Sequence, residues 1–64
     1  MSTKDRAFQI DQMLTAQGSA SKTALMKRLG VSWATLKRDL SYLRDELNAP
    51  IVFDREQDAY RFEH

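Results

Sequence analysis

The residues most able to do chemistry in this chain are the cations between Ser21 and Arg44. Lys22, Lys27, Arg28, Lys37, Arg38 and Arg44 stand there against a single acid, Asp39, a local excess of +5. The rest of the chain carries −4, so the net charge of +1 hides a segregated distribution. Such segregation is the footprint of a protein that meets a polyanion on one side. Ammonium and guanidinium groups grip phosphates, and adjacent Lys37 and Arg38 can reach a phosphate and a base edge together. Ala34, Thr35 and Ser41 are short, which lets a helix approach closely, and Ala34 or Thr35 can touch a thymine methyl. Lys22, Lys27 and Arg44 are expected on phosphates. Trp33 either packs partly against the preceding helix, the favoured reading, or enters a groove. Tyr42 either hydrogen-bonds a phosphate or fills surface. Asp39 is repelled by phosphates and is expected to pair with a base such as Arg28, bracing two helices.

Catalysis finds little support. The one histidine, His64, is terminal and expected to be disordered. Asp5 with Asp11, and Asp54 with Glu56, are carboxylate pairs without a pocket. No nucleophile neighbours a base, no Gly-rich phosphate loop occurs, and metal-ligand spacing is absent. No enzyme activity, cofactor or metal is therefore expected. The chain also has no cysteine, which removes disulfides and Cys-based zinc sites and suits a reducing cytoplasm.

Three helices must position these cations. The first, residues 4–17, aligns Ala7, Ile10, Leu14 and Gln17, with Phe8 and Met13 widening the stripe. Ser2 or Thr3 caps it, Asp5 suits its positive end, and Gly18 ends it. After the connector Ser19-Ala20-Ser21, a second helix over 22–29 has Ser21 as N-cap. It buries Leu25 and Leu29, with Ala24 or Met26 beside them, and leaves Lys22, Lys27 and Arg28 outside. Gly30 closes it in a conformation with positive φ. Ser32 then caps a third helix, residues 33–47, and its free N–H groups also favour a phosphate. Val31 stands at N′ opposite Leu36 at N4, the arrangement of a hydrophobic staple that fixes the entry angle. Leu36, Leu40, Leu43 and Leu47 form one stripe, so at about 100° per residue Ala34, Arg38, Ser41 and Asp45 face the other way. Two helices joined by a short Gly-containing turn are a helix-turn-helix, whose second helix enters the major groove.

Asn48 or Ala49 ends the third helix, and Pro50 opens an extended segment. Strands over 51–54 and 59–62 make a hairpin, with Ile51 and Phe53 on one face and Tyr60 and Phe62 on one face. The hairpin is expected to pack by its aromatics on the helices. Residues 54–58 form its polar tip, and Arg55, Gln57 and, from the second strand, Arg61 can reach the DNA backbone or minor groove. Asp54, Glu56 and Asp58 sit there too, and a purely structural hairpin is an equal alternative.

The whole reads as one domain over residues 1–64, mainly α with a small β-hairpin: a winged helix-turn-helix of three helices and a two-stranded wing. With 64 residues, of which 42% are hydrophobic and 30% charged, a core is affordable but an enclosed pocket is hard to build. No apolar run approaches the length of a membrane span or signal peptide. Met1-Ser2-Thr3 reads as a native start.

Leu29-Gly30-Val31-Ser32, followed by Thr35-Leu36-Lys37-Arg38-Asp39-Leu40-Ser41-Tyr42-Leu43-Arg44, carries a family resemblance. Ala49-Pro50-Ile51, Asp54-Arg55-Glu56 and Tyr60-Arg61-Phe62 add to it. From Lys4 to Phe62 the chain resembles the N-terminal winged helix-turn-helix of DeoR-type and WYL-domain transcriptional regulators. The resemblance implies a cytoplasmic prokaryotic regulator that binds double-stranded operator DNA, usually as a homodimer, with a C-terminal sensor domain in a longer parent protein. The chain departs from the pattern in three places. Trp33 and Ala34 stand where the family often has arginines, so shape or methyl reading is expected from the first turn and polar base contacts from Lys37 and Arg38. Asp58-Ala59 replaces a Gly-Gly wing tip, and the 64 residues hold no sensor domain, as expected either of a module from a larger regulator or of a minimal protein. Sequence-specific binding of duplex DNA is the leading function. The alternative is a winged-helix module for protein docking or dimerisation, its +5 segment facing an acidic partner.

Overall fold

A computed structural model describes residues 2–63; His64, and the disorder expected of it, lie outside them. Helix α1 spans Thr3–Gln17, α2 Lys22–Leu29 and α3 Trp33–Glu46; strands β1, Ile51–Asp54, and β2, Ala59–Phe62, follow. Three helices and an antiparallel hairpin in this order are the architecture of a winged helix.

Each helix begins on a serine. Ser2 and Asp5 form a capping box, in which Ser2 Oγ accepts the Asp5 N–H at 3.2 Å and the Ser2 N–H donates to the Asp5 carboxylate. Ser21 Oγ accepts the Ala24 N–H at 3.0 Å, and Ser32 Oγ the Thr35 N–H at 3.3 Å. Between α2 and α3, Gly30 takes the left-handed conformation, φ 66°, and its N–H closes on the Met26 carbonyl. Three residues later α3 starts, with Val31 packed against the core in front of fully buried Leu36.

The core joins Ala7, Ile10 and Leu14 of α1 with Leu25 and Leu29 of α2 and Leu36, Leu40 and Leu43 of α3. Ile51 and Tyr60 close it from the hairpin. Two expected members are outside. Phe8 is 64% exposed and Leu47 55% exposed. Phe8 lies two residues before Ile10, roughly 200° around the helix, so it cannot share the buried face. Leu47 falls just past α3, which ends at Glu46, one residue before the expected end; Asn48 then turns left-handed at φ 53°. Gln17 is exposed as well, and Met26, not Ala24, fills in beside Leu25 and Leu29.

In the hairpin Ile51 pairs with Phe62 and Phe53 with Tyr60. Tyr60 and Phe62 pack on the core as expected, but Phe53 stays 44% exposed, its ring in edge contact with Tyr60 at 5.1 Å. The tip is built around Asp54, whose Oδ1 accepts the Glu56 and Gln57 N–H groups. Asp58 occupies the left-handed position, φ 52°; Asp tolerates that region better than most residues because its short side chain can hydrogen-bond locally. Ala20, expected only as connector, exchanges both backbone hydrogen bonds with Tyr60 at 2.9 and 2.8 Å. The α1–α2 loop thus adds a one-residue bridge to the outer edge of β2.

The brace between helices also differs from expectation. Asp39 is fully buried, but its partner is Arg6 of α1, not Arg28 of α2. Arg6 Nε donates to Oδ2 at 2.7 Å and Nη2 to Oδ1 at 3.3 Å, a two-point grip. Asp39 adjoins Leu36, Leu40 and Leu43 on the α3 surface, so its side chain is carried inward toward α1. The Asp39 hydrogen bonds hold the Arg6 guanidinium pKa above its ordinary value.

Candidate nucleic-acid interface

With the leucine stripe of α3 turned to the core, the opposite face is left to solvent. Ala34, Lys37, Arg38 and Ser41 together line one shallow, open surface there. Two small side chains flank two cations, so the backbone of α3 can be approached to within a short side chain's length. Lys22, Lys27, Arg28, Lys37, Arg38 and Arg44 make no ion pair among the described residues; Arg6 pairs with Asp39 and Arg61 with Asp54. The excess charge of the helix-turn-helix is thus not cancelled by the chain's own acids, and an anionic partner can meet it at full strength.

Trp33 is half-buried and packed against the core, as favoured from its phase. Its ring also organises charge. The Lys22 ammonium lies 4.7 Å from the ring centroid and that of Lys37 5.6 Å. Each such contact is worth about 0.5–1 kcal/mol at an exposed site. One indole therefore contacts a cation from the first residue of α2 and another from the second turn of α3. A second shallow groove runs between α3 and the hairpin, lined by Trp33, Lys37, Ser41, Arg44 and Tyr60. Arg44 Nε donates to the Ile51 carbonyl at 3.1 Å, tying α3 to β1 while the residue remains exposed.

Trp33, Ala34, Lys37, Arg38 and Ser41, with Lys22 and Arg44, are thus brought onto adjoining surfaces. Others stand apart. Thr35 is half-buried, and its hydroxyl accepts the Ser32 hydroxyl's hydrogen bond at 3.3 Å within the cap. Ser32 itself is exposed at the start of α3. Tyr42 is packed against the core. Lys27 is exposed in the last turn of α2, whereas Arg28 lies beside Gln9 and Gln12 of α1. Arg55 is exposed at the hairpin tip. Arg61 donates through Nε to Asp54 Oδ2 at 3.1 Å and through Nη1 to the Phe62 carbonyl. That Arg61 bond, together with the Gln57 and Glu56 amides, holds the Asp54 carboxyl below its ordinary pKa.

Sequence reasoning missed two contributors. Tyr60 walls the groove as well as closing the core, and burial raises its phenol pKa. Phe53 faces a cleft beside Trp33 instead of the helices. A strand's alternation assigns faces, but it does not say how far the core reaches along the hairpin.

No helix among the described residues is long and apolar enough to cross a membrane. The chain matches no curated protein and no solved structure. Residues 6–61, from the Arg6 brace through the hairpin, match the family pattern of the HTH domain. The chain belongs to the family of helix-turn-helix domains, the DNA-binding domains of transcriptional regulators.

Proposed function

We propose that this chain is a single domain that binds double-stranded DNA sequence-specifically, with α3 in the major groove. In this reading it serves a prokaryotic regulator of the DeoR or WYL type, acts as a homodimer on its operator, and belongs to a longer parent protein with a C-terminal sensor domain. The observation that carries the reading is the outer face of α3, where Lys37 and Arg38 stand between Ala34 and Ser41 without an ion pair among the described residues. Arg38 and Lys37 supply polar base contacts. Ala34, Thr35 and Trp33 supply methyl and shape contacts, and Ser41 permits close approach. Lys22, Lys27, Ser32, Tyr42 and Arg44 fix the register through phosphates, with Arg55 and Arg61 reaching the backbone from the hairpin.

Sites selected from a random duplex pool test this directly, because they report specificity and half-site spacing together. On a selected site, Arg38→Ala is expected to cost about 1–3 kcal/mol and relax specificity at one position. Lys22→Gln is expected to weaken all sequences alike and reduce the salt slope by about 0.9. Unchanged affinity in the Arg38 variant, or a flat salt response, overturns the reading.

One observation favours the second reading, a protein-docking module: Phe8 and Leu47 are large, apolar and exposed. Failure to bind any duplex at low salt, together with a stable protein complex lost on Phe8→Ser, supports that reading instead.

A further inference from the structure

Between the start of α2, Trp33 and the hairpin lies a cleft of about 280 Å³. Trp33, Phe53 and Tyr60 form its aromatic walls, and Lys22, Thr23 and Asp58 its polar rim. Phe53 and Tyr60 meet edge to face at 62°, which leaves Phe53 44% exposed toward the cleft. Lys22 has the Trp33 ring as its neighbour and no ion pair, and the Asp58 carboxylate has no ion pair either, among the described residues. An open aromatic ring, a cation and an acceptor without a counter-charge therefore converge on one concavity.

We infer that this cleft binds a single unpaired nucleotide, a function distinct from duplex recognition although it shares Lys22 and Trp33 with the duplex contacts. The complementarity has three parts. A nucleobase stacks on the open Phe53 ring and against Trp33, as bases do on aromatic platforms of single-strand binders. Its ring or exocyclic N–H donates to Asp58, an acceptor-only group when ionised. Its phosphate meets the Lys22 ammonium and the Thr23 hydroxyl at the rim. The volume lies just below the roughly 300 Å³ at which pockets for drug-sized ligands begin, so it admits one base with its sugar. In an intact duplex the base faces are stacked on their neighbours, so the occupant is either a free nucleotide or an unpaired base of a strand.

Trp33 is the sole tryptophan of the chain, so its fluorescence reports on the cleft. Titration with a short oligothymidylate is expected to give a saturable quench. Phe53→Ala is expected to weaken it about tenfold or more, and Phe53→Tyr to restore it. Phe53 takes no part in the duplex contacts, so Phe53→Ala should stay folded, with a melt lowered by the lost edge contact with Tyr60, and should keep its duplex affinity. Competition by thymidine 5′-monophosphate assigns the cleft to free nucleotide. A quench by oligothymidylate that the mononucleotide does not compete away assigns it to a base delivered by a strand. Absence of a quench, equal affinity in Phe53→Ala, or equal competition by inorganic phosphate overturns the inference. Duplex binding retained in any of those cases leaves the major-groove reading standing.

Discussion

Asp39→Ala deletes a carboxylate with no solvent exposure that accepts two guanidinium hydrogen bonds, at 2.7 and 3.3 Å. Bonds to charged groups contribute about 1.5–3 kcal/mol each. The Arg6 side chain left behind keeps 16% of its surface in solvent and can relax outward, also using the Thr3 hydroxyl at 3.4 Å. The net loss is therefore expected at about 2–4 kcal/mol, below the simple sum of the two bonds. A chain of this length has a total stability of roughly 3–10 kcal/mol, so much of it hangs on this brace. At roughly 4–8 °C per kcal/mol, Tm should fall by some 10–30 °C in a circular dichroism melt. Arg6→Met should be worse than Asp39→Ala, because it strands a carboxylate that has no route to water. Asp39→Asn should be mildest, because it keeps the shape and an acceptor. Where Asp39→Ala remains folded, its DNA affinity should stay within about threefold, because the side chain points away from the outer face of α3. An Asp39→Ala loss under about 0.5 kcal/mol, or an Arg6→Met variant more stable than Asp39→Ala, would refute the reasoning.

Gly30→Ala meets no atom within 4 Å but must hold φ 66°; a loss of about 1–2 kcal/mol in urea unfolding is expected, smaller in Gly30→Asn. Ser32→Ala should cost about 1 kcal/mol of stability by losing the α3 cap. It should also weaken duplex binding at every sequence, measured by anisotropy. The Asp54 carboxyl is held below 3.8 in the folded chain, so its contribution is complete above that pH and is lost as acid protonates it. The Glu56 and Gln57 amide resonances should therefore shift with a midpoint below 3.8, and Asp54→Asn should abolish that titration.

The parts of the fold governed by local periodicity were legible in the sequence. The α3 stripe of Leu36, Leu40 and Leu43, the Ser21 and Ser32 caps and the Gly30 turn all depend on neighbours within a few residues. So does the grouping of Ala34, Arg38 and Ser41, which follows from the stripe by rotation. Contacts set by tertiary packing were not legible. Nothing near Asp39 in the chain distinguishes Arg28 from Arg6, which lies 33 residues away. Ala20 pairs through its backbone, which leaves no mark on residue type. Leu47 lies outside because α3 ends one residue short of it, while the exposure of Phe8 was legible, since its phase of roughly 200° from Ile10 already sets it off the buried face. The pairing of Lys22 and Lys37 over Trp33 likewise needs the angle between α2 and α3, which spacing alone does not supply.

The Ala20–Tyr60 bridge has a kinetic consequence. The helices and the hairpin can each begin to form from nearby contacts, but this bridge closes a loop running through α2, α3 and β1. Loop-closure entropy makes such a contact slow to gain, so it should mature late on the folding pathway. Once made, it links the entry to α2 with the middle of β2 at two backbone hydrogen bonds. The Ala20 and Tyr60 amides should then exchange with solvent together, as one cooperative unit. The hairpin would open only when the α1–α2 loop lets go of it, so a shift of the hairpin tip would be transmitted through Tyr60 and Ala20 to the start of α2, where Lys22 stands.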